Sequence, residues 1–152
     1  MPAQQDAASR TRARARRVPV SLEVEFDALD LPPRIRARIR VLGTCWIWIG
    51  ENNGHRERPY GRVEVDGSRV RIHRWMYERA FGVIGPGLVI DHVAARGCAS
   101  TLCCNPSHLE AVTDAENQLR GMWSRCDRTG TCFPGMFDRE AHPCPACLRR
   151  RR

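Results

Sequence analysis

Apolar and polar residues alternate over four short runs: SLEVEF (21–26), CWIWIG (45–50), YGRVEV (60–65) and SRVRIH (68–73). A period of two predicts strands half buried on one face. Asp66-Gly67 between the last two runs predicts a tight hairpin. LVIDH (88–92) and HLEAV (108–112) read as two further short strands. Helical spacing is predicted in three places. Pro32-Pro33 opens RIRARIRVLG (34–43), with Ile35, Ile39 and Leu42 on one face. A second helix runs from about Arg74 to Phe81, with Gly82 as its stop. The third begins at Thr113-Asp-Ala-Glu116, a capping box, and runs to about Met122. Short strands mixed with short helices predict a small, irregular α+β core, and no internal repeat is present.

Charge divides the chain. Residues 1–20 carry five Arg against Asp6, and Arg149 to Arg152 close the sequence, so the net +8 lies in two ends around a formally neutral body. Every basic residue is Arg. Excess charge held on tails can follow a polyanion at little cost to the fold, and guanidinium groups grip phosphate in a bidentate way. Nucleic acid is therefore the favoured partner. No stretch approaches ~18 uninterrupted apolar residues, which argues against a transmembrane helix. The Arg-rich start lacks the apolar run of a secretory signal and reads as a disordered tail. The expected division is a basic tail (1–20), a main domain (21–122), a cysteine-bearing module (123–148) and a basic tail (149–152).

Eight cysteines without an export signal favour metal binding over a disulfide framework. Cys126, Cys132, Cys144 and Cys147 lie in a turn-rich stretch too poor in apolar residues to fold by burial alone, which predicts a tetrahedral zinc. His142, two residues before Cys144, is an alternative ligand. Cys98-x4-Cys103-x4-His108 supplies three more zinc ligands, and Cys45 is the available fourth; its other reading is a plain buried thiol. Such a site would tie an early strand to a later loop. Cys104 is left over, its side chain pointing away from that of Cys103.

Asp91 and His92 end one strand, and Asn117 lies in the first turns of the helix that follows the next. An imidazole beside two hard oxygens is what metal-assisted phosphodiester hydrolysis needs. The oxygens hold Mg2+ and the neutral imidazole takes a proton from water. His73, at a helix start, reads as packed or hydrogen-bonded rather than catalytic.

With CWIWIG, YGRV, RIHRWMYERAFG, GLVIDH, CCNPSHLEAVT and ENQLRG in place, the run from Cys45 to Gly121 resembles the HNH endonucleases of the ββα-metal (His-Me finger) superfamily. The zinc pattern is most similar to that of the His-Cys box homing endonucleases. The resemblance implies that His92 is the general base, Asn117 a ligand of the catalytic metal, and Asp91 the second ligand found in HNH enzymes proper. His108 occupies the middle position of the motif, where the His-Cys box branch uses a zinc-binding His; a backbone carbonyl near Cys103 must then orient His92. The loop from His92 to Cys98 is longer than in that branch, and the last cysteine cluster matches only loosely.

The implied activity is cleavage of double-stranded DNA to 3′-hydroxyl and 5′-phosphate ends, using Mg2+ or Mn2+ beside two structural zinc ions. Arg62, Arg69, Arg71 and Arg74 on the hairpin and the following helix are candidate DNA contacts. A homodimer would pair two sites for double-strand cleavage. The cytoplasm of a bacterium, or of one infected by phage, is the expected location. A zinc-containing DNA-binding regulator without catalysis is the alternative, and it would not need Asp91, His92 or Asn117.

Overall fold

The computed structural model describes residues 24–129, with side chains described to residue 125. The expected tails lie outside the described residues, as do residues 130–148 of the module expected over 123–148. Val24 to Phe26 form no strand; Phe26 instead sets its ring edge-on against Trp46, with centroids 4.9 Å apart, and carries Arg36 on its face. The helix expected over 34–43 shrinks to one turn, α1 (Pro33–Arg36), and the chain then extends as β1 (Ile39–Leu42). β1 pairs antiparallel with β2 (Cys45–Trp48), Ile39 opposite Trp48 and Leu42 opposite Cys45. The backbone bonds offered by β2 outweigh the weak helical preference of a segment carrying Ile39 and Val41.

β3 (Arg62–Val65) and β4 (Ser68–Arg71) form the predicted hairpin. Asp66 and Gly67 both have positive φ, 50° and 73°, as a tight two-residue turn of this hand requires. Arg71 leads directly into α2 (Ile72–Phe81), which starts two residues earlier than expected and ends at Gly82. β5 (Leu88–His92) and β6 (Leu109–Thr113) pair antiparallel, Asp91 opposite Glu110 and His92 opposite Leu109. The Thr113 hydroxyl accepts from the Glu116 amide at 3.2 Å and opens α3 (Asp114–Thr129). This helix passes the expected end near Met122, since neither glycine nor proline interrupts residues 122–129.

Among the described residues the fold is thus small and α+β, built from three two-stranded antiparallel sheets and short helices, which is consistent with the ββα-metal fold expected from the sequence. One core cluster gathers Ile35, Trp46, Trp48, Val63, Ile72 and Met76; a second, under β5 and β6, gathers Tyr77, Ile84, Ile90 and Leu109. Trp48 is fully buried and donates its indole N–H to the Glu51 carbonyl at 2.8 Å. Gly61 makes room for it, because a Cβ there would stand 2.5 Å from Trp48 Cδ1 and 2.6 Å from Ile72 Cγ2. Among the described residues, no helix is long and apolar enough to cross a membrane.

Candidate active site and metal centre

The segment from Leu102 to Cys104 is sewn along β2. Trp48 donates to the Leu102 carbonyl at 3.0 Å, and the Cys104 amide donates to the Trp46 carbonyl at 2.8 Å. Asn105 then fixes the turn, donating to the Thr44 carbonyl at 2.7 Å and accepting from the Ser107 amide at 3.0 Å. This stitching brings β2, the 98–103 loop and the start of β6 together at one point. There the ligand atoms of Cys45, Cys98, Cys103 and His108 all lie within 4.8 Å of one another. Cys45 Sγ and Cys103 Sγ are each 3.6 Å from His108 Nδ1. A tetrahedral zinc at about 2.3 Å from sulfur and about 2.0 Å from nitrogen spaces its ligands at about this separation. The four residues can hold a metal such as zinc.

Crowding shows in the thiols themselves. The hydrogen bond with Cys98, then burial, pushes the Cys103 thiol far up, while the same bond pulls Cys98 down. Burial leads in raising Cys45. A bound cation would reverse this balance by stabilising thiolates. Cys104 stands apart, fully buried with its thiol donating to the Trp46 carbonyl at 3.3 Å.

His92 ends β5 beside this knot. Its Nε2 lies 2.9 Å from the Cys103 carbonyl oxygen. A carbonyl only accepts, so Nε2 carries the hydrogen and Nδ1 the lone pair. Burial pulls His92 below its ordinary pKa, against the Cys103 carbonyl and the Asp91 carboxylate. The ring is packed by His73 at 5.0 Å and Tyr60 at 6.2 Å between centroids, and Arg71 lies over the Tyr60 ring at 5.1 Å. The packed reading of His73 therefore holds, with 2% of its surface exposed; its Nδ1, however, has no hydrogen-bond partner.

Asp91 points to the helix side. Its Oδ2 receives Arg120 Nη1 at 3.1 Å, and the same nitrogen reaches Glu110 Oε2 at 2.9 Å while Nη2 reaches Glu116 Oε1 at 2.7 Å. Arg96 adds a fourth contact, 3.4 Å from Glu110. Burial raises the Asp91 pKa, and Arg120 opposes the shift. Burial also pulls Arg120 down, but its three carboxylates outweigh this and push it up overall. Asn117, half buried, precedes Arg120 by three positions on α3, which packs against β5 and β6. Residues three apart share a helix face, so Asn117 is on the side that reaches Asp91.

Sequence reasoning missed Tyr60, Arg96, Glu110 and Arg120. The Glu116–Arg120 spacing of four was readable as a helical pair; that Glu110 stands opposite Asp91 depends on strand register. On the hairpin, Arg62 faces Arg71 and Glu64 faces Arg69, all four exposed on the side opposite buried Val63. Arg69 is paired with Glu51 at 3.1 Å, and Arg74 is exposed on α2. Cys126 falls within the last turns of α3; its side chain, with Cys132, His142, Cys144 and Cys147, lies outside the described residues.

This stretch of β4, α2, β5, the cysteine knot, β6 and the start of α3 has known relatives. Residues 70–119 match the HNH endonuclease family. That segment spans Asp91, His92, His108 and Asn117. Among curated proteins, the chain is 34% identical over 73 residues to Protein 7.7 of Escherichia phage T7, covering 48% of this chain and 51% of that protein. It is 33% identical over 92 residues to Protein 2.8 of the same phage, covering 59% and 58% respectively. The chain thus spans between half and three-fifths of the curated relatives it matches. No solved structure matches.

Proposed function

We propose that the HNH segment is a metal-dependent DNA endonuclease with His92 as general base. The observation that carries this reading is the 2.9 Å contact from His92 Nε2 to the Cys103 carbonyl. It fixes one tautomer of a half-buried imidazole and leaves Nδ1 as the basic nitrogen. Burial keeps that ring neutral near pH 7, so it accepts a proton from an attacking water. Asp91, with Oδ2 already on Arg120, has a second carboxylate oxygen to offer, and Asn117 shares the helix face that carries Arg120. This hard oxygen pair suits Mg2+ or Mn2+ rather than a thiol-seeking ion. When bound, that ion supplies positive charge for the departing 3′ oxygen. The expected products are 3′-hydroxyl and 5′-phosphate ends.

The chain's own groups do the rest. Arg71, held on Tyr60 beside the base, is the hairpin arginine best situated for the scissile phosphate, with Arg62 across the strand pair and Arg74 on α2 as backbone contacts. Two arginines directly opposite one another repel, and a bound polyanion relieves that repulsion. Arg69, engaged by Glu51, is the weakest of the four as a DNA contact. Zinc on Cys45, Cys98, Cys103 and His108 braces the carbonyl that orients His92. A second zinc on Cys126, Cys132, Cys144 and Cys147 belongs to the same reading, as do a double-stranded DNA substrate, a homodimer for paired cuts, and action inside a bacterial or phage-infected cell.

Supercoiled plasmid incubated with the protein and Mg2+ tests this. Nicked or linear DNA is expected with Mg2+, and intact DNA with EDTA or with His92→Ala. A zinc-containing DNA-binding regulator would shift the plasmid on a gel yet leave it uncut in every lane.

A further inference from the structure

His73 is the one described side chain whose buried nitrogen goes without a partner. Its ring sits between Tyr60, at 5.4 Å, and His92, at 5.0 Å, tilted by 52° to the latter. A buried polar atom left unsatisfied costs the fold stability, and a phenyl ring of similar shape would not carry that cost. Such costs are characteristic of sites where the group acts. Of the two rings that pack against His73, the nearer is the base itself.

We propose that His73 is a positioning residue for His92. Its neutral ring closes the wall behind the base and, with the Cys103 carbonyl, gives the His92 imidazole two constraints in place of one. The hydrogen bond fixes one ring nitrogen, but the plane can still turn about that axis. The His73 ring blocks the turn. Its imidazole is also more polar than a phenyl ring and lies 5.0 Å from a ring that becomes cationic only after taking the proton from water, so it can stabilise charge that develops as the reaction proceeds. Burial, then the nearness of His92, Arg71 and Arg74, holds His73 far below the ordinary histidine pKa, at about 3, so it stays uncharged throughout.

The inference rests on His92 being the base, and the test separates the two. His73→Phe keeps a ring and removes both nitrogens; His73→Ala removes the wall. Under Mg2+, His73→Phe is expected to melt at or above the wild-type temperature, bind DNA with unchanged Kd, and lower kcat by roughly 10- to 100-fold with little change in KM. Wild-type kcat in well-folded His73→Phe and His73→Ala proteins would overturn the proposal. Nitrogen-15 spectra of the His92 ring at fixed pH give a readout that needs no cleavage. Sharp His92 ring resonances from one ring orientation are expected in the wild type, and shifted, exchange-broadened ones in His73→Ala. Unchanged His92 ring resonances in His73→Ala overturn the positioning role even if no DNA is cut. Loss of cleavage in His92→Ala with full cleavage in both His73→Phe and His73→Ala would sink this inference and spare the nuclease reading.

Discussion

Acid should destabilise the protein through His73 by an amount that can be worked out. The ring is 2% exposed, flanked by Arg71 and Arg74, and held at about 3 where an unfolded histidine titrates near 6.5. The unfolded chain therefore binds a proton that the folded chain refuses. The folded pKa is depressed, so the contribution to stability is complete above about pH 6.5 and is lost as the pH falls toward the folded value. Linkage between those values gives a loss of about 1 kcal/mol at pH 6 and about 2 kcal/mol at pH 5. Other groups also respond to acid, above all the Cys45, Cys98, Cys103 and His108 cluster. The informative quantity is therefore the difference between wild type and His73→Phe, measured by urea unfolding with zinc present at pH 7.5, 6 and 5. The variant should gain on the wild type by those amounts as the pH drops. Parallel profiles would show that the ring does not sit neutral in a closed site, and the reasoning would fail.

Three further outcomes follow from the same geometry. Arg120→Met leaves Asp91, Glu110 and Glu116 facing one another without their shared guanidinium, and should cost at least about 2 kcal/mol near neutral pH, checked by thermal and urea unfolding. Cys103→Ser should lower bound zinc by about one equivalent per chain in elemental analysis and sharply reduce the melting temperature, because a structural zinc site contributes folding energy directly; unchanged zinc content would refute the cluster. Gly61→Ala drives a methyl into Trp48 and Ile72 and should destabilise by about 1–3 kcal/mol, read from the urea midpoint.

The parts of this fold legible in sequence are those specified locally. Asp66-Gly67 dictates its own turn, Thr113 and Glu116 cap α3 within four residues, and the Cys98, Cys103 and His108 spacing is short enough to announce one metal site. Ile35, Ile39 and Leu42 misled because their spacing suits a helix, whereas β2 supplies a pairing partner that the pattern of 34–43 does not reveal. Val24 and Phe26 looked like strand positions, yet in the described structure Phe26 is held by Trp46 and Arg36. The motif groups Asp91, His92 and Asn117; the structure ends β5 with the first two and carries the third on α3, which packs against β5. Arg120 was not readable, since its three carboxylates come from β5, β6 and α3 and meet only through strand register. His73 likewise looked like ordinary helix packing, because nothing in the sequence says that its neighbour across the fold is His92.

The most direct test of the central claim is single-turnover cleavage of plasmid DNA with Mg2+ from pH 5 to 8, for the wild type and His92→Ala. A base must be unprotonated to act, and burial lowers the His92 pKa, so the wild-type rate should rise with pH and level off with a midpoint below the ordinary histidine value. His92→Ala should be slower by roughly 100-fold or more and lose that inflection. Equal rates, or the same inflection in both proteins, would contradict the assignment of His92 as the group that activates water.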